Sequence, residues 1–447
     1  MRIPEQAPIL EEVITGRVEE VLRARSDSRY SNLIEDANRA HRHWQKIKYI
    51  ARANKLDPLI VWANVKLGRT GLAKRTPFRG ANGAPIHYMV PDQVARELMF
   101  LDQEAAGRMA SDADVRLPAG VSRERFIIRG LMEEAIASSM LEGAVTTRHD
   151  AKQMIRSGRK PRTVGERMVL NNYKTMQFIR EHADTPLSPD FLLELQRMLT
   201  VDTLEKPDQS GRIRTDADPV RVEDHEGNTI YTPPPASELS NRLTALCRFA
   251  NHPEEDQHFI HPIIRATLLH FQIAIDHPFC DGNGRTARAV FYWYAIRNKY
   301  WLAEFMPIST LIRKSSTQYA LAYLYAETDS YDATYFLMYN ARIFGRARDE
   351  MNAYIRRKAA EQSRAAGILK ADEGLNLRQR EVLLKHSRDD DRQTTIHSHA
   401  LDYQISYQTA RTDLLQLVNR GYLSSFKDGK TYVFMKGRRL TEVEAPD

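Results

Sequence analysis

The chain has 447 residues, room for about two to four domains, with 42% hydrophobic and 28% charged residues, the balance of a globular protein. A net charge of +7 over that length permits nucleotide or nucleic-acid partners without demanding them. Two cysteines, Cys247 and Cys280, exclude a disulfide framework and a Cys-x-x-Cys zinc site; with a charged N-terminus lacking a signal h-region and no apolar run of membrane length, a cytoplasmic protein without membrane contact is expected.

Residues 1–115 read as a polar helical region, an accessory or dimerisation element with no catalytic spacing. A His/Arg/Lys-rich segment spans Ser31–Asn54, where His41 and His43 flank Arg42 on what reads as a solvated helix face. Pro58–Leu67 is apolar, and Asp92 caps a further helix after a Gly/Pro loop at 79–85. From Ser122 to Gly143, apolar residues at 128, 131, 132, 135, 136 and 140 recur at helical spacing, and Gly143 fits the residue just past the helix end. Ser138 and Glu142, four apart, share one face. Glu142 stands in the last turn, where the helix dipole favours a cation, so it wants a positive partner or solvent. More helices follow across 146–200, one with Ser188 as cap and Pro189 in its first turn. The S-G-R-I-R-T segment after them reads either as a surface loop or as a strip bringing Arg212 or Arg214 towards a ligand.

Alternation at 220–224 and 229–232 around E-G-N reads as a hairpin, stopped by Pro233, Pro234 and Pro235. The densest chemistry lies at 277–288, H-P-F-C-D-G-N-G-R-T-A-R, between apolar helical runs at Pro262–Ile275 and Thr286–Ile296. Gly282 and Gly284 allow a turn whose backbone N–H groups open onto a helix N-terminus, an anion site. Arg285 and Arg288 share a helix face, Asp281 is an oxygen ligand of the kind Mg²⁺ shares with phosphates, and His277 can take a proton from a hydroxyl. These parts describe a polyphosphate cradle with a base beside it. Pro307–Tyr325 gives another helix with tyrosines at 319, 323 and 325, and residues 346–373 form a charged helical connector. The C-terminal stretch 374–447 reads as helix, loop, helix (Ile405–Leu423, capped by Ser406 and ended by Gly421) and a hairpin across Asp428-Gly429.

The 277–288 string resembles the Fic family signature H-x-F-x-D/E-G-N-G-R-x-x-R at every fixed position: His277, Phe279, Asp281, Gly282, Asn283, Gly284, Arg285 and Arg288. Ser138 to Gly143 is similar to the family's inhibitory pattern S/T-x-x-x-E-G/N. The resemblance implies a mainly α chain. A Fic-type helical bundle with a small hairpin flap would fill 116–345, including an inhibitory helix at 122–143, after the N-terminal helical region. It implies a protein adenylyltransferase moving AMP from ATP, with Mg²⁺, to a Ser, Thr or Tyr hydroxyl of a target protein, itself included. By resemblance, His277 is the base and Asp281 holds the metal. Gly282, Asn283 and Gly284 orient the α-phosphate, while Arg285 and Arg288 take the β- and γ-phosphates. Glu142 would pair with Arg288 and block ATP. Thr229, Ile230, Tyr231 and Thr232 would register the target by strand addition, and Tyr319 would line an adenine pocket, although Ser316 departs from the basic residue usual in that helix. The C-terminal stretch resembles a winged helix-turn-helix domain, with Tyr407, Gln408, Thr409 and Arg411 facing a DNA groove and Lys427, Lys430 and Lys436 touching phosphates, or a protein-binding module. Removal of AMP, or a nucleotide-sensing transcription regulator, are the alternatives.

Overall fold

The computed structural model describes residues 3–104, 123–223, 226–300, 306–372, 374–388, 392–429 and 431–441. They divide into two compact units, the first holding residues up to 104 and Ile128–Ala347, the second holding residues 123–127 and Arg348 onward.

The first unit begins with α1 (Leu10–Ile14), α2 (Val18–Ala24), α3 (Ser28–Arg39), α4 (Trp44–Ala53) and α5 (Pro58–Thr70). Asp57 starts α5 by accepting the Leu59 and Ile60 N–H groups, with Pro58 at the first helical position. Trp44, Ile47, Val61, Trp62 and Val65 pack into the core of this layer. His41 and His43 overturn the expectation of a solvated face. They lie between α3 and α4, 3% and 1% exposed, with His41 Nε2 2.9 Å from Asp332 and His43 Nε2 3.1 Å from Thr328 Oγ1. The groups that cover them lie nearly three hundred residues downstream, out of reach of local composition.

A second departure is a hairpin, β1 (Lys74–Arg79) with β2 (Pro85–Tyr88), in a region expected to hold only helices and a loop. Thr76 and Phe78 turn inward on β1, a short alternation that the surrounding charges and Pro77 hide. Then come α6 (Asp92–Glu104), α7 (Arg123–Leu141), α8 (Arg148–Ser157), α9 (Val164–Glu181) and α10 (Pro189–Thr200). The short flap pairs β3 (Val222–Glu223) with β4 (Thr229–Tyr231), Val222 opposite Tyr231. It is smaller than the alternation suggested, and residues 224 and 225 lie outside the described residues.

After α11 (Leu239–Asn251), the helices α12 (Pro262–Asp276) and α13 (Asn283–Arg297) form the centre of the bundle. Both are buried on nearly every side, as befits helices apolar all round. Next are α14 (Ile308–Lys314), α15 (Ser316–Glu327) and α16 (Thr334–Ala371). The segment read as a connector lies in α16, one helix of 38 residues.

In the second unit, α17 (Leu377–Arg388), β5 (Thr394–Thr395), α18 (Ile396–Tyr403), α19 (Tyr407–Asn419), β6 (Leu423–Asp428), β7 (Thr431–Lys436) and α20 (Arg438–Thr441) surround a core of Leu383, Ile396, Leu414, Leu417, Tyr422 and Phe434. The strands order as β5-β7-β6. Ser406 caps α19 by accepting the Thr409 N–H, and Gly421 follows the helix at φ 73°. The sequence missed β5 and α18, the latter begun by a reciprocal Thr395–Ser398 capping box. Lys430 lies outside the described residues. Among the described residues, no helix is long and apolar enough to cross a membrane.

Candidate active site

The turn from α12 to α13 builds the site. α12 ends at His277, whose φ of 46° and ψ of 56° are left-handed, a conformation that a residue with a side chain adopts only under constraint. The constraint is visible. The His277 N–H donates to Ile273 O at 2.9 Å, and its carbonyl accepts from Arg214 Nε at 2.8 Å. Nδ1 lies 3.3 Å from Ala274 O, which makes Nδ1 the protonated nitrogen and leaves Nε2 as the acceptor. Burial pushes the imidazole below its ordinary pKa, against the opposing pull of the Ala274 carbonyl and the Glu142 charge, so the base form prevails at neutral pH.

Asn283 holds the loop by spending its side chain on one residue: Oδ1 accepts the Phe279 N–H at 2.9 Å and Nδ2 donates to Phe279 O at 2.8 Å. That side chain is 3% exposed and committed to the loop, so whatever Asn283 offers an anion is its backbone N–H. Gly282 takes φ 82° just before α13, and the first-turn N–H groups of α13 have no intrahelical partner. Gln196 fixes the loop from α10, donating to Asp281 O at 3.0 Å and accepting from the Gly211 N–H at 2.5 Å. The sequence reading passed over Gln196, yet its place among Leu192, Leu195 and Leu199 on an apolar face was a signal for a buried polar role.

The two arginines are each 1% exposed. Arg285 donates to Leu199 O at 2.9 Å and lies 3.4 Å from Asp281, and its Nε is buried with no partner. Arg288 donates through Nε to Ser138 Oγ at 2.9 Å and through Nη2 to Ser138 O at 3.1 Å and Glu142 Oε1 at 2.9 Å. Its Nη1 is buried and unpartnered. Burial works against the Arg288 charge, but the Glu142 and Glu134 carboxylates raise its pKa above the ordinary value. A Cβ on Gly284 would run into Glu142 Oε1. The Glu142 carboxylate therefore lies on the first turn of α13, where an anion would bind. Gly143, at φ 88°, ends the helix that presents it.

Glu134 sits two turns before Glu142 on α7, an interval that puts Glu134, Ser138 and Glu142 on one side. It is 2% exposed and accepts from Tyr292 at 2.7 Å and from the N–H and hydroxyl of Ser309, while burial raises its pKa. It ties α7 to α13 and α14 and escaped the sequence reading. Asp281, with 54% of its side chain exposed, is the one carboxylate of the loop. No cluster of three or more His, Cys, Asp or Glu suited to a metal occurs among the described residues. A single exposed carboxylate beside an anion cradle fits a Mg²⁺ that arrives with phosphates, since Mg²⁺ binds through one or two carboxylates plus phosphate oxygens.

Tyr319 belongs to an aromatic cluster. Its hydroxyl is 2.8 Å from His270 Nε2 and 3.1 Å from Tyr323, and its ring packs on Phe336 and Tyr339. Arg214, 7% exposed, reaches backbone carbonyls and no open face of the loop: besides His277 O, it donates to Pro234 O at 2.6 Å and Asp276 O at 3.2 Å. Arg212 pairs with Asp218 at 2.7 Å. On the flap, Tyr231 donates to Ile275 O at 2.7 Å, while Thr229 and Thr232 are exposed and Ile230 is half-buried. In the second unit Tyr407, Gln408, Thr409 and Arg411 are all exposed on the first turns of α19.

Part of the chain is similar to known proteins. Residues 186–295 match the model of the Fic/DOC family. The chain is 31% identical over 121 residues to the protein adenylyltransferase fic-1 of Caenorhabditis elegans, covering 27% of this chain and 21% of that one. It is 25% identical over 199 residues to the protein adenylyltransferase Fic of Nematostella vectensis, covering 42% and 43% of the two. The chain thus spans between about a fifth and two fifths of the length of these curated relatives. A solved Fic family protein from Desulfovibrio desulfuricans G20 matches with a TM-score of 0.48 at 18% identity, over 78% of this chain and 98% of that one.

Proposed function

We propose that this chain is a protein adenylyltransferase that transfers AMP from ATP to a hydroxyl of a target protein and is held in check by Glu142. The observation that carries the reading is the meeting of Glu142 with Arg288 and Gly284 on a helix N-terminus beside an imidazole whose Nε2 is open to accept a proton.

The triphosphate lies along the first turn of α13, taking backbone N–H donors and the spare guanidinium donors of Arg285 and Arg288. Asp281 would hold a Mg²⁺ that arrives with the phosphates, and the ion would supply neutralisation of their charge. His277 Nε2 takes the proton from the target hydroxyl as its oxygen attacks the α-phosphorus. An O–P bond to the target forms, the bond to pyrophosphate breaks, and AMP is left on the hydroxyl. The donors already fixed around the loop stabilise the charge that grows on the phosphoryl oxygens without reorganising. Glu142 blocks this by competition. Its carboxylate takes the Arg288 donor and the helix end that the terminal phosphate needs, so ATP must displace an anion that is already paired.

Radiolabelled ATP with the full chain tests the reading. Wild type is expected to label itself or a lysate protein weakly, and Glu142→Gly about 10-fold or more strongly, in keeping with release of one charge-assisted contact of about 1.5–3 kcal/mol. Adding His277→Ala to that variant should remove labelling by at least about 100-fold while leaving ATP binding intact. No labelling by Glu142→Gly, or labelling that survives His277→Ala, refutes the assignment.

A second reading concerns the second unit. We read its helices and hairpin as a winged helix that docks on DNA through α19. It is supported by the exposure of Tyr407, Gln408, Thr409 and Arg411 at the capped start of that helix. A gel shift that survives moderate salt and is lost in Arg411→Ala supports it; binding indifferent to that substitution does not.

A further inference from the structure

A second concave site lies beside the first. An open groove of about 700 Å³ runs between the flap, the loop at Ala81 and Asn82, and the turn after α15. Its lining includes Asp216, Tyr231, Pro234, Glu327 and Tyr331. Two of its walls connect directly to the base: Tyr231 bonds Ile275 O, and Arg214 joins Pro234 O to His277 O.

Glu327 is oddly placed. It is the last residue of α15, where the dipole disfavours a carboxylate. It is half-buried at the groove, and desolvation there pushes its carboxyl up to about 8. Among the described residues it has no hydrogen bond and no cationic partner; its charge is felt only by the Tyr231 and Tyr331 hydroxyls. Asp218, nearby, is satisfied by Arg212, and Arg214 is spent on carbonyls. The groove therefore has an uncompensated acid inside and the exposed Asp216 at its rim, in a chain whose net charge is +7.

The wall facing Glu327 is built under strain. Ser330 and Tyr331 are both left-handed, at φ 57° and 56°, two unfavourable residues in succession. The surroundings hold them there. The Tyr331 hydroxyl accepts the Ala81 N–H at 3.0 Å, its carbonyl accepts the His87 N–H at 3.3 Å, and its ring occupies the space a Cβ at Gly80 would need. Arg242 locks that loop by donating to Arg79 O at 2.8 Å and Gly80 O at 3.0 Å. Strain of this kind, maintained by several contacts, places a tyrosine ring and a carboxylate on one groove. A carboxylate that lines the groove without a cation of its own suits an ammonium or guanidinium group.

We propose that this groove is a cation-specific subsite, in which Glu327 receives a lysine or arginine side chain of the segment presented for modification. The proposal rests on the adenylyltransferase reading for the identity of its occupant, but not for its chemistry. The three prolines at 233–235 offer no N–H groups, so a segment laid here is recognised by side chains where the flap edge ends. A basic residue a few positions from the acceptor hydroxyl would restore the charge that Glu327 cannot keep alone.

The test separates the two readings. A positional-scanning library of ten-residue peptides, each with one serine and one varied position, is captured on the immobilised full chain without nucleotide. Wild type is expected to enrich lysine and arginine over norleucine about 10-fold at one offset from serine, the size of a charge-assisted contact. Glu327→Gln should lose the enrichment, and Glu327→Lys should invert it towards glutamate, while both bind a fluorescent ATP analogue like wild type. Enrichment of neutral or acidic residues by wild type, no retention of any peptide, or a basic preference that persists in Glu327→Gln each overturns the subsite. Because the capture contains no ATP, a failure of AMP transfer leaves this result standing, and the labelling experiment above is scored without it.

Discussion

Two buried arginine clusters of the first unit make an instructive pair. Arg69, on α5, is 3% exposed, and all three of its guanidinium nitrogens are engaged: Nε with Asn38, Nη1 with Tyr335, and Nη2 with the carbonyls of Ala37 and Arg42. Arg285 and Arg288, at 1% exposed, each keep one nitrogen with no partner. Burying a donor without a partner costs about 1–3 kcal/mol, a cost that the phosphates of the proposed substrate would remove. Full satisfaction fits Arg69 as architecture; the unpartnered nitrogens of the other two are those that the proposed triphosphate site would use.

The comparison breaks most visibly if the arginines are removed. Arg69→Met should lower unfolding stability by about 3 kcal/mol or more in a denaturant titration, because it strips partners from buried carbonyls and from Tyr335. It should leave ATP affinity per folded molecule unchanged. Arg285→Met should do the reverse: a stability change under about 1.5 kcal/mol, with ATP binding weakened about 10- to 100-fold by calorimetry. If Arg285→Met unfolds the chain and Arg69→Met spares it, satisfaction does not separate the roles. Arg288→Met is best read in the Glu142→Gly background, where no released carboxylate confuses the binding. A loss of ATP affinity similar to that of Arg285→Met is expected there.

Proton titrations sharpen the contrast further. His277 has its pKa lowered by burial, so labelling by Glu142→Gly should stay flat from pH 8 downward and fall only below the ordinary imidazole value of about 6.5. A rate that falls above pH 7 would point to another base. The smallest effect concerns Glu327. Its carboxyl rises from 4.5 to about 8 in the folded chain. Between those limits the folded state holds a proton that the unfolded chain has released, so stability falls as pH rises through that window. Glu327→Gln removes this term. Its melting temperature should match wild type near pH 5 and exceed it by a few degrees at pH 8; a gap that does not grow with pH contradicts the burial of that group.

What could be read from the sequence follows from the range of the interactions. The 277–288 loop is local: its glycines, its asparagine and its arginines lie within a dozen residues, so residue type and spacing made its geometry legible. α12 and α13 were likewise legible from continuous apolar runs, with ends displaced by only a residue or a few. His41 and His43 were misread because their partners, Asp332 and Thr328, come from the far end of the domain. Gln196, Glu134 and Glu327 look like ordinary polar helix residues until neighbouring helices bury them. β1 and β2 were missed because their inward residues are few and interrupted by Pro77. In the second unit, the Asp428-Gly429 turn was plain, whereas a two-residue strand such as β5 leaves no periodicity to detect.

Arg214 links events that are usually considered apart. One guanidinium grips the carbonyl of Pro234 at the root of the flap and the carbonyl of His277. In the proposed reaction, a polypeptide pressing on the flap would act through this one planar group on the residue that carries the imidazole. On that reading recognition and proton abstraction would be mechanically geared together, and an ill-fitting visitor would meet a base aimed slightly off its mark.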